Sequence, residues 1–110
     1  MLKMLSNLFG GGVESIDIDT YLAEYKPNKN HVLIDVRTPK EFKAERVANA
    51  KNIPLNTISK NINKIPKDKP VILMCRSGMA ARQLVNAGYE NIVNLKGGIL
   101  RWKAQGHPVK

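Results

Sequence analysis

The stretch Val71-Ile-Leu-Met-Cys-Arg-Ser-Gly-Met-Ala-Ala-Arg82 decides the fold. Its first four residues form a continuous apolar run, the pattern of a short strand buried on both faces of a sheet. Cys75 follows at once, and Gly78 gives a tight loop the φ freedom it needs. Ala80 through Ala87 then reads as a helix that stops at Gly88. Strand, loop and helix in that order build open α/β sheets, where ligands lie beyond the carboxyl ends of the strands. Cys75 stands at such an end.

Working outward, Val32-Leu-Ile-Asp35 is a second buried-strand pattern, Ile92-Val93 a third, and Asn52-Ile53 a weaker fourth. Between them lie helix signals. Asp17 can cap a segment with Ile18, Tyr21, Leu22 and Tyr25 at helical spacing. Thr38-Pro39-Lys40-Glu41 has the form of a capping box with proline at the first helical position. Ile58, Ile62 and Ile65 recur at helical spacing before Pro66, and Ile99 through Gln105 forms a helix ended by Gly106. This alternation predicts an α/β domain with a mainly parallel sheet covered on both faces. Residues 1–12, which end in Gly10-Gly11-Gly12, read as a flexible N-terminal tail, and 13–110 as one domain.

The 110 residues suit a single domain. Hydrophobic residues make up 43% and aromatics only 5%, so the core must be mostly aliphatic. The net charge is +9, but the basic residues are scattered and have no interleaved aromatics for stacking on nucleotides. A field that draws in small anions is expected, without a nucleic-acid partner. A single cysteine excludes an intramolecular disulfide framework and suits a reducing compartment. The opening residues lack the uninterrupted apolar segment of an export signal, so the expected location is the cytoplasm, without membrane contact. His31 and His107 both sit beside turn-forming residues and read as exposed loop histidines, and Trp102 reads as a core anchor. Two distant histidines make no metal site.

A lone cysteine after an apolar run is by itself a small buried hydrophobe. Its place here gives it another prospect. A loop curling around the sulfur would aim the N–H groups of Arg76, Ser77, Gly78, Met79 and Ala80 at one point, at the positive end of the following helix. That arrangement holds a thiolate and lowers its pKa. The Arg76 side chain would add positive charge at the mouth. Which anion chemistry the loop performs stays open on these residues alone.

From about Ser15 to Val109 the sequence resembles the rhodanese homology domain. The likeness rests on four landmarks in order: Leu33-Ile-Asp-Val-Arg-Thr-Pro-Lys-Glu-Phe42, Ala50-Lys-Asn-Ile-Pro54, Cys75-Arg-Ser-Gly78, and Gly97-Gly-Ile-Leu-Arg-Trp102 followed by Gly106-His-Pro-Val109. The resemblance implies a three-layer α/β/α sandwich around a mainly parallel five-stranded sheet. It implies a sulfurtransferase without cofactor, in which Cys75 takes sulfane sulfur from thiosulfate or a persulfide or polysulfide donor. The persulfide would rest in the Arg76–Ala80 loop and pass to cyanide, a small thiol or a sulfur-accepting protein. A module that binds a protein or relays sulfur without turnover is the alternative it leaves. Asp35 and Arg37 would stand near the loop, either ordering it or forming a structural ion pair. A monomer or weak dimer is expected.

Two departures stand out. Members often carry Gly-His-Ile where this chain has Glu45-Arg-Val47, and proline where it has Ala48. The loop's sixth position, often basic or hydroxylated, is Ala80, which offers less help to the sulfonate end of thiosulfate. Phosphatases and arsenate reductases of this architecture place an arginine six positions after the cysteine, where this chain has Ala81, with Arg82 one residue on.

Overall fold

The computed structural model describes residues 7–9, 13–75 and 77–110. Its strands are β1 (Asn7–Phe9), β2 (Val13–Ile16), β3 (Val32–Asp35), β4 (Lys51–Asn52), β5 (Val71–Met74) and β6 (Ile92–Leu95). They form one sheet in the order β1-β2-β6-β5-β3-β4. The five strands from β2 to β4 run parallel, which is the expected five-stranded sheet, and β1 adds an antiparallel edge. Asn7–Phe9 thus pair with β2 although they fall within the segment read as a tail. The rest of that segment lies outside the described residues. Strand β2 escaped the sequence reading because Glu14 and Ser15 interrupt its apolar pattern.

Alternation along the strands explains the three layers. Val71, Leu73 and Cys75 join Ile34, Ala80, Ala81 and Leu84 in one buried cluster. Ile72 and Met74 join Leu33, Val93, Ile99 and Trp102 in the other. Successive residues of a strand point to opposite faces, so β5 feeds two cores and must be apolar throughout. Helix α3 (Met79–Asn86) covers the first face. The short α1 (Ile18–Thr20), the wide turn Tyr21–Tyr25 that continues it, and α4 (Gly98–Ala104) cover the second.

The caps behave as their residues dictate. Asp17 accepts the Thr20 N–H at 2.8 Å. Thr38 and Glu41 form the reciprocal box that starts α2 (Pro39–Ala44), each accepting the other's backbone N–H. The expected helix through Ile58, Ile62 and Ile65 is instead two 3₁₀ turns, Leu55–Thr57 and Ile62–Lys64. The isoleucine spacing still serves the core, since Ile58 and Ile65 are buried. The helix fails to propagate because Thr57 Oγ1 and Asn61 Nδ2 donate to the Pro54 and Thr57 carbonyls, offering the backbone a local alternative. Among the described residues no helix is long and apolar enough to cross a membrane.

Candidate active site

Strand β5 delivers Cys75 to the carboxyl edge of the sheet and α3 begins four residues later. The turn between them depends on Gly78, which sits at φ 78°, in the left-handed region that glycine enters without steric cost. The side chain of Cys75 packs on the α3 face beside Ala80 and is only 5% exposed.

Burial acts most strongly on this thiol and pushes its pKa up, because a low-dielectric setting disfavours the thiolate. Hydrogen bonds reverse the outcome. The Ala80 N–H, the Ser77 hydroxyl, and the Ser77 and Gly78 N–H groups donate to the sulfur, and together they bring it below the ordinary thiol value. The Ser77 Oγ lies 3.5 Å from Sγ and accepts the Met79 N–H at 3.2 Å. With that oxygen acting as acceptor for Met79, its own proton is free to point at the sulfur.

The structure therefore brings Ser77, Gly78 and Ala80 around Cys75, while Met79 turns its N–H to Ser77 and leaves its side chain 50% exposed. Arg76 lies outside the described residues. Ala80 and Ala81 are fully buried against the core, so neither position has room for a basic side chain, and Arg82 is exposed on α3. An arginine clamp for a tetrahedral oxyanion has no seat at Ala81.

Beside this loop, the carboxyl end of β3 carries a closed network. Asp35 is fully buried, and both its oxygens accept from the Arg37 Nε at 3.0 Å, with Nη2 at 2.8 Å from Oδ2. The Arg37 N–H adds a bond of 2.9 Å to Oδ1. Arg37 then reaches the Glu45 and Glu41 carbonyls at 2.6 and 3.2 Å, tying both ends of α2 to the sheet. Asn52 Nδ2 donates to the Asp35 and Arg37 carbonyls at 3.0 and 2.9 Å. Of the two readings for Asp35 and Arg37, the geometry is that of a structural ion pair that also fixes one wall of the site.

A cavity of about 850 Å³ opens over Cys75 and Ser77. Val36, Ala44, Met74, Ile99 and Leu100 give it an apolar lining, with Arg37, Glu41, Glu45 and Lys103 around them. Lys103 pairs with Glu45 across the mouth, joining α4 to the end of α2. The departure at Glu45-Arg-Val47 reads from sequence as a change of local packing more than of chemistry, yet Glu45 lines the cavity, as do Leu100 and Lys103, which sequence did not mark as site residues. They meet Cys75 only through the packing of α2 and α4, and no local pattern marks that. Val47, in the same departure segment, is a core residue. The histidines stand apart from the sulfur and are half-buried rather than exposed: His31 bonds Tyr21, and His107 packs on Trp102, which is buried as expected.

Fold and loop together define a class: a parallel sheet, covered on both faces, that offers one thiol in a backbone cradle at a strand's carboxyl end. The model of the rhodanese-like domain matches residues 19–105, and the chain belongs to that family. It is 33% identical over 101 residues to a protein named sulfurtransferase from Allochromatium vinosum, covering 88% of this chain and 94% of that one. A Bacillus subtilis relative of uncharacterised function is 47% identical over 74 residues, 64% of this chain and 59% of the relative. The crystal structure of a rhodanese-related protein from Thermoplasma volcanium superposes with a TM-score of 0.72 at 29% identity, covering 87% of this chain and 96% of that one.

Proposed function

We propose that this chain is a sulfurtransferase that carries sulfane sulfur as a persulfide on Cys75. The observation that carries the reading is a buried thiol at the carboxyl end of β5, 3.5 Å from the Ser77 hydroxyl at the turn into α3 and lining a cavity, with its pKa held below the ordinary thiol value. The thiolate attacks the outer sulfur of the donor. A new S–S bond forms on Cys75, the donor's S–S bond breaks, and its electron pair leaves on the donor's remainder, a thiolate or sulfite. An acceptor thiolate or cyanide then attacks the outer sulfur, and the electron pair returns to Cys75. The loop N–H groups hold the negative sulfur in both halves of the reaction.

The lining favours a persulfide or polysulfide donor over thiosulfate. Among the described residues, both cations of the cavity already face carboxylates, Arg37 with Asp35 and Lys103 with Glu45. The sulfonate end of thiosulfate, which a persulfide or polysulfide lacks, meets there an apolar wall and, among the described residues, no cation without a carboxylate partner. Steady-state transfer to cyanide, followed as thiocyanate, tests the reading. Polysulfide should give the higher kcat/KM, thiosulfate a lower one, and Cys75→Ser neither. Transfer above the protein-free rate that survived in Cys75→Ser would overturn it.

One feature of the mouth favours a protein acceptor. Leu100 is 53% exposed at the cavity rim and Met79 is half-exposed on the loop, an apolar margin suited to a partner's surface. Complete loading of Cys75 with negligible turnover on small acceptors would assign the chain to sulfur relay.

A further inference from the structure

At the other end of β3 the molecule has a second cavity, of about 420 Å³, and its lining is unlike the first. Val32 and Leu33, at the amino end of the strand, border it, whereas Val36 and Arg37 border the cavity over Cys75. Lys26, Lys29 and Lys51 line it and no carboxylate does. Among the described residues no carboxylate lies within ion-pair distance of these three ammonium groups. Three of the eighteen basic residues of the chain thus meet at one cavity without a carboxylate among its lining.

The interior is apolar and aromatic with one polar pair. Tyr21, Val47 and Trp102 supply the wall, and the Tyr21 hydroxyl lies 3.1 Å from His31 Nε2. The His31 Nδ1 is 2.8 Å from the Asn28 carbonyl, which can only accept, so in the neutral ring Nδ1 carries the proton and Nε2 accepts from Tyr21. The turn that carries Lys51 to the rim is fixed by Asn49 at φ 70°, a left-handed conformation asparagine tolerates. Shape and charge are thus both in place: a cavity within the roughly 300–1,000 Å³ range of small-molecule sites, with an apolar body and a cationic rim.

We propose that this cavity binds a small organic anion, a phosphate or carboxylate on a flat apolar body, independently of the sulfur chemistry at Cys75. Lysines suit such a group as point charges, and Tyr21 and Trp102 give the ring its contact.

The chain holds one tryptophan, so the indole N–H gives a single NMR resonance. That N–H donates to the Pro108 carbonyl at 2.8 Å, and Pro108 also lines the cavity, which makes the resonance a direct reporter. Titration of the full-length Cys75→Ser protein with 1-naphthyl phosphate should shift it saturably. Inorganic phosphate and 1-naphthol, each lacking half of the ligand, should bind at least roughly tenfold more weakly. The combined Lys26→Gln, Lys29→Gln, Lys51→Gln variant should lose roughly tenfold in affinity or more, and rising salt should weaken binding. Lys60→Gln with Lys64→Gln should leave it unchanged. Equal affinity for 1-naphthol or for inorganic phosphate, or full affinity in the triple variant, would overturn the proposal. So would shifts confined to the Ser77–Ala80 loop.

Discussion

Strands β3 and β5 are neighbours and run parallel, and their carboxyl ends do opposite things with similar materials. After β3 the chain places a buried charge, Asp35, and satisfies it with Arg37, which also spends its remaining reach on the Glu41 and Glu45 carbonyls. After β5 it places a buried thiol and surrounds it with donors whose partner is the sulfur itself. The first network is closed, so little polar capacity is left for a substrate. The second is open on one side, to the cavity, so whatever charge the sulfur gains is already provided for. A polar group held by its own neighbours makes structure, and one held ready for an absent charge makes chemistry.

The largest expected effect falls on the closed end. Arg37→Ala strands Asp35 without its partner in a fully buried position, which typically costs about 3–5 kcal/mol. That is a large part of the roughly 5–15 kcal/mol holding a small domain together, so chemical denaturation should show a markedly lower midpoint. A loss under about 1 kcal/mol would mean that the β3 network is not closed as described.

At the open end the effect should fall on reactivity and leave stability largely alone. Ser77→Ala removes one donor to the sulfur, so the thiol pKa should rise, and loading with sulfur near neutral pH should slow several-fold with little change in melting temperature. The pH dependence follows from the same donors. Because the folded pKa is depressed, thiolate persists as pH falls through the range where an unfolded cysteine is already protonated. Alkylation by iodoacetamide should therefore have its midpoint below that of the denatured chain, and Ser77→Ala should move it back up. The linked stability is present above the unfolded thiol's pKa and is lost as pH falls through the folded one. Coincident midpoints for native and denatured protein would remove the distinction between the two ends.

The smallest effect belongs to the pair between the two ends. Lys103 and Glu45 are both partly exposed, and such pairs contribute about 0.2–1 kcal/mol. Lys103→Met should barely alter unfolding. It should slow loading from an anionic donor, because Glu45 then faces the cavity uncompensated. Unchanged loading would place the pair outside the path of the donor.

The same contrast marks what was legible in the sequence. Val71–Met74 and Val32–Asp35 announced themselves because strands buried on both faces need uninterrupted apolar runs. The Thr38–Glu41 box and the loop at Gly78 were legible because capping and left-handed turns require particular residues. Strand β2 was hidden because its pairing with β6 overrides the polar Glu14 and Ser15. The isoleucines at 58, 62 and 65 showed burial correctly but not the conformation, which Thr57 and Asn61 decide through side-chain bonds to nearby carbonyls. At the site, Cys75 could be singled out by its position after a strand. Which donors reach it, and that Met79 is not among them, depended on how the loop closes. The cavity wall from α4 lies more than twenty residues away along the chain and left no local trace.

The most direct measurement is the intact mass of the reduced protein after treatment with polysulfide or thiosulfate and then with cyanide, beside Cys75→Ser. The account predicts a gain of one sulfur atom on the native chain, its removal by cyanide, and no gain in the variant. A mass left unchanged by both donors, or an equal gain in Cys75→Ser, would contradict the claim that Cys75 carries sulfane sulfur.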